Sequence, residues 1–296
     1  MDLQELMKKE LLRRNYSLRT IKTYLYCLRK FLKYYKKEER KISKKDVKDY
    51  LDKLMNKNLS GSTINVNLNA LKFLLEEILN KKFILKIKYS KTPKTLPIFL
   101  TKDEVIRLLN KIENEKHKLM IKLIYGGGLR VNELVNLKVK DLNFENNYGW
   151  VRQGKGNKDR LFIIPNSLKQ ELINYIIKYK LDDDSWLFIS YNGHISTRTI
   201  QEIIKKATKK AKLNKKVHPH TLRHSYATHL VEDGYDLILV QSLLGHKSPE
   251  TTMIYVHMAN PKLLSVKSPL DNLQLENKDG KVNYEIENNK DTRLIS

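Results

Sequence analysis

The sequence predicts a mainly α-helical protein with a small antiparallel β-sheet, in which a helical bundle precedes a mixed α/β domain. Apolar residues recur at helical spacing through most of the 296-residue chain, but between Leu142 and Pro165 they recur at every second position, as in strands. Residues 83–98 contain two prolines, no acidic residue and no helical period, which is typical of a linker. The expected organisation is a first domain, a basic linker, a second domain and a polar tail, at residues 1–82, 83–98, 99–270 and 271–296.

Four short amphipathic helices are expected in the first domain. Apolar residues share one face within residues 3–12 and again after Ser17, a capping box that begins at Ser43 opens a third helix, and Ser60 precedes a fourth. Helices of this kind bury their apolar faces against one another, so we expect a small bundle.

The chain is strongly basic, with a formal net charge of +24 and a pI near 9.8. Residues 1–97 hold 25 Lys and Arg against 10 Asp and Glu. Such a field attracts polyanions and favours nucleic acids through release of condensed counterions, although an AT-rich genome or a hot habitat also enriches lysine. The residues that we expect to contact a phosphate backbone lie on the second helix and in the linker: Arg19, Lys22, Arg29, Lys30, Lys33, Lys91 and Lys94.

The composition is that of a folded protein in a reducing compartment. No run of about 18 apolar residues is present, and the opening Met-Asp-Leu-Gln-Glu-Leu lacks the layout of a secretory signal. The single cysteine, Cys27, cannot form an internal disulfide, and its leucine neighbours indicate a core position. We therefore expect a cytoplasmic protein without membrane contact.

Two features of the second domain bring charged side chains next to glycines. Gly126-Gly-Gly-Leu-Arg130 ends one helix and begins another, in which Arg130 and Glu133 lie one turn apart. A surface salt bridge would give the same pattern. Lys155 stands between two glycines at the tip of the predicted hairpin, a position that gives a mobile arm but is also common in ordinary turns.

The densest cluster of reactive side chains lies between residues 218 and 257. His220 and Arg223 are one helical turn apart, His246 follows a helix-ending Gly245, and Tyr255 falls in a short helical segment of its own. A phenol has a pKa near 10 and is a poor nucleophile unless its target is strongly polarised. Two arginines can polarise a phosphate, because each guanidinium presents a planar fork of donors to the phosphate oxygens.

Arg130 and Arg223 are the predicted pair of phosphate-binding arginines. His220 can bond the same phosphate or accept the phenolic proton, His246 can hold another oxygen, and Lys155 can protonate the departing sugar oxygen. The product would be a tyrosyl phosphodiester, which a sugar hydroxyl can reseal without ATP. No nucleotide or other cofactor is therefore predicted.

A metal site is the alternative to this chemistry. His220 and His224 have the spacing of a metal pair, with His218 and His229 close by in the sequence. Arg223 lies between the two and would repel a dication. No P-loop and no carboxylate cluster typical of a two-magnesium site is present, so the sequence predicts phosphate chemistry without a metal.

The order of these residues resembles the tyrosine recombinase, or phage integrase, family over nearly the whole chain. The matching motifs are Gly-Leu-Arg-Val-Asn-Glu-Leu at 128–134, Gly-Lys-Gly-Asn-Lys-Asp-Arg at 154–160, His-Thr-Leu-Arg-His-Ser-Tyr-Ala-Thr-His-Leu at 220–230 and Leu-Leu-Gly-His at 243–246. They look most like the Xer branch, with integron integrases next. Two departures are Gly127, where the family usually has a small or hydroxyl residue, and the 41 residues after Tyr255, more than is usual for Xer proteins.

The resemblance implies a helical core-binding domain and a mixed α/β catalytic domain clamped around duplex DNA. It implies four protomers, of one kind or of two paralogues, on two recombination sites, with strands exchanged through a Holliday junction. Tyr255 would be the nucleophile, leaving a 3′-phosphotyrosine and a free 5′-hydroxyl, and Glu133 would brace Arg130. The residues that would assist the attack of Tyr255 on the phosphate are Arg130, Lys155, His220, Arg223 and His246. A Xer-type role implies chromosome partition at cell division, with a DNA translocase as a further partner.

Three other activities stay open at this point. An element-borne integrase would share the same motifs. A type IB topoisomerase-like enzyme would share the nucleophile and the cations, but would relax supercoiled DNA of any sequence without forming tetramers. An architectural DNA-binding protein would have a decayed site, whereas every catalytic position is filled here.

Overall fold

The computed structural model of the protein describes residues 2–35, 41–81, 89–90, 96–152, 159–191 and 193–245. The chain divides into two compact units, Met1–Thr95 and Leu96–Ser296. The described residues are mostly helical, with two small antiparallel sheets, which confirms the predicted fold class. Several sequence predictions lie outside the described residues: those for Lys91, Lys94, Lys155, His246, Tyr255 and the tail from residue 271.

The first unit contains four α-helices, three of which begin at the predicted serines, whereas Asp2 caps the first. They are α1 (Leu3–Arg13), α2 (Leu18–Tyr34), α3 (Lys44–Asn56) and α4 (Gly61–Phe73), and α4 continues into a π-helical turn at Leu74–Ile78. The side chains of Ser17, Ser43 and Ser60 each accept a backbone N–H of the first turn, and Ser43 forms the predicted capping box with Asp46. Caps of this kind satisfy amides that the helix cannot, and each contributes about 1 kcal/mol.

The core of the first unit is formed by the apolar stripes of these helices. Phe31, at its centre, stacks on Tyr35 and meets Tyr50 edge to face, with ring centroids 5.6 and 5.2 Å away. Cys27 is buried in this core, as expected from its neighbours. The side chains that are fully buried here include Met7, Leu11, Leu28, Phe31, Leu68, Leu71, Leu74 and Leu75. Burial of each of these side chains stabilises the folded state by about 1.5–3 kcal/mol. The opposite, charged faces of the helices are therefore left in contact with solvent.

The second unit consists of seven α-helices and five short strands among its described residues. In chain order the elements are α5 (Lys102–Asn110), α6 (Glu115–Gly126), α7 (Val131–Val135), a 3₁₀ turn (Val139–Asp141), β1 (Leu142–Asn143), β2 (Tyr148–Val151), β3 (Arg160–Ile163), α8 (Asn166–Lys178), β4 (Ile189–Ser190), β5 (Gly193–His194), α9 (Thr197–Lys210), α10 (Pro219–Glu232) and α11 (Leu237–Leu244). A capping box formed by Thr101 and Glu104 opens α5. Helix α9 begins at Thr197, because the side chain of Ser196 caps it.

The predicted sheet is present, with strands in the order β1-β2-β3 and antiparallel pairing throughout. Strand alternation directs Arg160 and Phe162 of β3 to the core and Leu161 and Ile163 to solvent. Gly149 on β2 lies directly opposite Phe162, whose ring occupies the space that a Cβ would need. The alternation therefore buries an arginine at the start of an otherwise apolar strand.

The β4-β5 hairpin was missed by the sequence analysis. Its two strands pair Ile189 with His194 and Ser190 with Gly193. Strands of two residues are too short to show a period of two, so no sequence pattern marks them.

Two glycines permit the close approach of the elements that form the site. Gly128, after α6, has φ of 58°, and a Cβ there would lie 2.5 Å from the ring of Tyr226 on α10. Gly245 ends α11 with φ of 59°, and a Cβ there would lie 2.7 Å from Cδ of Arg160. Both backbones are left-handed, a conformation that glycine adopts without steric strain. The loop after α6, the start of β3 and the end of α11 are thereby packed against one another.

No helix within the described ranges is both long enough and apolar enough to cross a membrane.

Candidate active site

Helix α7 begins with Arg130 and Glu133 bonded to each other in two ways. The backbone N–H of Arg130 donates to Oε2 of Glu133 at 2.8 Å, and its Nη1 donates to Oε1 at 2.6 Å. Glu133 is only 9% exposed. The alternative interpretation of this pair as a surface salt bridge is therefore wrong, because the carboxylate lies in the protein interior and fixes the arginine from behind.

Arg223 reaches the same place from α10. Its side chain is buried, with the whole residue 3% exposed, and its Nη1 lies 3.8 Å from Oε2 of Glu133. Nη1 donates to the carbonyl of Gly128 and Nη2 donates to the carbonyl of Leu244. Nη2 of Arg130 donates to the same Leu244 oxygen at 3.4 Å. The two predicted arginines thus converge on one oxygen atom, although they come from different helices.

A third arginine, Arg160 at the start of β3, was not named as a site residue by the sequence analysis. Its Nη2 lies 2.6 Å from Oε2 of Glu133 and 3.3 Å from the carbonyl of Gly128, and its Nη1 donates to the carbonyl of Leu243. The residue is 9% exposed. The sequence signal that could have revealed it is a cation at the core-facing register of an otherwise apolar strand, since such a charge needs a buried partner.

The Glu133 carboxylate is ionised because of these arginines. Burial acts to raise its pKa, but the charge of Arg160, the hydrogen bond from Arg160 and the contacts from Arg130 outweigh burial and leave the pKa below its ordinary value. A buried carboxylate that keeps its charge holds two guanidinium groups in fixed positions. The site is therefore a preorganised cationic centre with a single anionic anchor among these four groups.

His220 lies on the first turn of α10, beside this cationic centre. The helix begins at Pro219, and the ring of His218 caps it by accepting the Thr221 N–H on Nδ1 at 3.2 Å. Loss of hydration within the surrounding protein lowers the pKa of His220, and the charge of Arg223 lowers it further. The imidazole is therefore neutral near pH 7 and can accept a proton.

The other histidines of α10 have different surroundings. The rings of His218 and His224 lie on either side of His220, with centroids 6.4 and 6.5 Å from it. His229 is buried, and its Nδ1 shares a hydrogen bond of 2.8 Å with the hydroxyl of Tyr125. Within the described ranges, no three histidine, cysteine or carboxylate side chains are grouped so as to hold a metal ion.

Substitution of His224 should make the protein less sensitive to acid. Burial is the main cause that lowers the pKa of His224 to about 4 from an ordinary 6.5, with the charges of His220 and Arg223 adding to it. Because the folded state disfavours the protonated ring, its contribution to stability is complete above about pH 6.5 and is lost as the pH falls towards 4. We expect the fall in Tm between pH 7 and pH 5 to be smaller for His224→Gln than for the natural protein. His194→Gln, on the exposed β5 strand, is the control, and an equal fall in all three proteins would contradict the prediction.

The cations predicted to meet DNA form an exposed row on α2. Arg19, Lys22, Arg29, Lys30 and Lys33 are all exposed. Lys30 Nζ lies 4.6 Å from the ring centroid of Tyr26, and Leu18 at the start of the helix is 71% exposed. A row of this kind offers both charge and apolar contact on one surface of the first unit.

Comparison with known proteins gives the same assignment for both units. The model of the phage integrase family matches residues 98–261, and the model of the phage integrase N-terminal SAM-like domain matches residues 3–85. The chain belongs to the phage integrase family of tyrosine recombinases. Enzymes of this family cut and rejoin DNA.

Individual relatives are of the Xer type. The chain is 41% identical over 246 residues to tyrosine recombinase XerA of Pyrococcus furiosus, an alignment that covers 81% of this chain and 83% of the relative. It is 39% identical to XerA of Pyrococcus horikoshii, over 82% of this chain and 85% of the relative. The structure is similar to that of XerH site-specific recombinase bound to its palindromic difH substrate, with a TM-score of 0.69, 28% identity, and coverage of 87% of this chain and 82% of that chain. These likenesses confirm the predicted resemblance to the Xer branch.

The structure thus unites some of the predicted site residues and leaves others undescribed. Arg130, Glu133 and Arg223 meet directly, and His220 lies within the electrostatic reach of both arginines. Lys155, His246 and Tyr255 lie outside the described residues. Their roles remain predictions that rest on the motifs in the sequence.

Proposed function

We propose that this recombinase cuts duplex DNA by attack of the Tyr255 hydroxyl on a backbone phosphate, forming a 3′-phosphotyrosyl intermediate and a free 5′-hydroxyl. The observation that carries the proposal is the shared contact of Arg130 and Arg223 with the Leu244 carbonyl oxygen. Two guanidinium groups that can donate to one oxygen can also share a non-bridging phosphate oxygen, where charge grows in the transition state.

Each remaining group has a role that fits its chemistry. His220, whose neutral ring can take a proton, accepts the phenolic proton or donates to the phosphate. His246 binds a second non-bridging oxygen, and Lys155 gives a proton to the departing 5′ oxygen of the sugar. Glu133 carries no reacting atom and holds Arg130 in place. The reaction keeps the energy of the phosphodiester in the tyrosyl bond, so religation by a 5′-hydroxyl needs no ATP.

The DNA partner is held by both proposed domains. The core-binding domain, residues 1–82, supplies the α2 cations, and the linker at 83–98 adds Lys91 and Lys94. The catalytic domain, residues 99–270, supplies the reactive groups. A protein with this many lysine and arginine side chains binds DNA mainly through the phosphates. Its affinity for DNA should therefore fall steeply as the salt concentration rises.

The biological role that we propose is resolution of chromosome dimers in the cytoplasm. The similarity to relatives named XerA and to the XerH complex with its difH substrate supports a Xer-type role over integration of a mobile element. The active assembly would be a tetramer of this chain, or of this chain and a paralogue, on two recombination sites, with a DNA translocase as a further partner.

Covalent capture tests the proposed reaction. The protein is mixed with sheared chromosomal DNA of the organism that carries its gene, the reaction is stopped with SDS, and protein-linked fragments are sequenced. A recombinase should enrich one or a few sites, and two copies of such a site on a supercoiled plasmid should recombine. Relaxation of a plasmid without the site, at the same rate, would instead identify a topoisomerase-like enzyme, and absence of any adduct would contradict the proposed function.

A further inference from the structure

The buried arginine of β3 shares an acceptor with each of the two proposed phosphate-binding arginines. Arg160 Nη2 donates to Oε2 of Glu133 at 2.6 Å, the atom that also accepts the backbone N–H of Arg130 at 2.8 Å. The same Nη2 lies 3.3 Å from the Gly128 carbonyl, which also accepts Nη1 of Arg223. One guanidinium is therefore bonded to the anchors of both arginines.

The other end of the Arg160 fork holds the end of α11. Nη1 donates to the carbonyl of Leu243, and the next carbonyl along the chain, that of Leu244, is the one on which Arg130 and Arg223 converge. The aliphatic part of the side chain packs against Gly245, where a Cβ would lie 2.7 Å from Cδ. The position of α11 relative to the two arginines therefore depends on this contact.

The Arg160 fork ends on protein groups. Its Nη1 and Nη2 donate to the Glu133 carboxylate and to backbone carbonyls, and the residue is 9% exposed. Arg223 is also buried, but it and Arg130 both donate to the Leu244 oxygen, which is not among the acceptors of Arg160. We therefore expect any effect of Arg160 on the reaction to pass through the groups that it holds.

We propose that Arg160 is a positioning residue for DNA cleavage, which sets the relative placement of Arg130, Arg223 and the end of α11 through Glu133, Gly128 and Leu243. The inference rests on the proposed function. Lysine cannot replace it, because a single ammonium cannot reproduce a planar fork that reaches three acceptors on three elements.

The conservative variant Arg160→Lys separates positioning from binding. We expect its affinity for a captured duplex, measured by fluorescence anisotropy, to stay within about threefold of the natural protein. Its single-turnover rate of adduct formation should fall on the order of 10- to 100-fold, because a misplacement of about 1 Å in a reacting group has an effect of that size. Arg152→Lys is the matched control: Arg152 is exposed, lies just after β2 and pairs with Asp141 at 3.2 Å, and its change should leave both quantities unaltered.

Coupling to Glu133 distinguishes a positioning role from a purely structural one. If Arg160 acts through Glu133, the loss of rate in Arg160→Lys/Glu133→Gln should be clearly smaller than the product of the two single losses. If Arg160 has only a structural role, its substitution should lower Tm and the yield of active protein but leave the cleavage rate of the folded molecules unchanged. The effects of the Arg160 and Glu133 substitutions on that rate should then multiply.

A second pair of substitutions covers the case in which Arg160→Lys does not fold. Arg160→Gln/Glu133→Gln removes one buried cation and one buried anion together, so the net charge of the cluster is unchanged. We expect this pair to fold and bind DNA but to cleave on the order of 10- to 100-fold more slowly. A natural rate in either folded variant would overturn the positioning role alone, whereas absence of adducts in both the natural protein and Arg152→Lys would overturn the proposed function.

Discussion

Replacing Tyr255 by phenylalanine should abolish the covalent protein–DNA adduct and leave DNA binding intact. Phenylalanine keeps the ring and its packing but lacks the oxygen that would bond to phosphorus, and water held at the site cannot form a protein-linked product. We expect no SDS-stable adduct on a captured duplex, while the dissociation constant at a fixed salt concentration stays within about threefold of that of the natural protein, since phosphate contacts dominate affinity.

A matched control is available for this substitution. Tyr235→Phe removes a hydroxyl from an exposed tyrosine just before α11 and should form the adduct at the natural rate. An adduct formed by Tyr255→Phe would show that the wrong phenol was chosen among the 16 tyrosines of the chain.

Replacing Lys155 by alanine should slow cleavage strongly, but only when the leaving group needs a proton. General acid catalysis contributes on the order of 10²- to 10⁴-fold for a poor leaving group such as a sugar alkoxide. A 5′-bridging thiol leaves as a thiolate, since thiols have pKa values near 8.5, and hardly needs the proton. We expect the rate of Lys155→Ala to fall by about 10²-fold or more on ordinary DNA and by less than about tenfold on the sulfur-substituted duplex.

Lys158→Ala serves as the comparison for this result, because it removes a second lysine three positions further along the sequence. It should respond equally to the two leaving groups. Equal slowing of Lys155→Ala on both duplexes would remove its role as general acid and leave it only a role in binding.

The two units differ in how their cores were predicted from the sequence. In the first unit the serine caps and the apolar stripes predicted each helix, because both signals are local and lie within a few residues of one another. In the second unit the alternation of apolar residues between Leu142 and Pro165, which is also a local signal, predicted the first sheet. It did not predict the β4-β5 hairpin, whose pairing is too short to leave a pattern in the sequence.

The site residues also divide into those that the sequence predicted and those that it did not. Arg130, Glu133, His220 and Arg223 were named from their spacing along helices and from the family motifs. The role of Arg160 was not, because its partners come from the loop after α6, from α7 and from α11. The burial of Glu133 was equally unpredictable from spacing, since a salt bridge one helical turn long looks the same on a surface and in a core.

The sequence by itself determined the helical bundle, the mixed second domain, the family and the identity of the candidate reactive groups. These follow from local periodicity, capping and motif order, all of which are properties of short stretches of chain. Only the tertiary structure decided that Arg130 and Arg223 share one carbonyl oxygen, that Glu133 is their buried anchor and that Arg160 ties that anchor to the end of α11. The physical reason is that a buried charge is stable only beside a partner, and the partner here is brought in by packing between elements far apart in the chain.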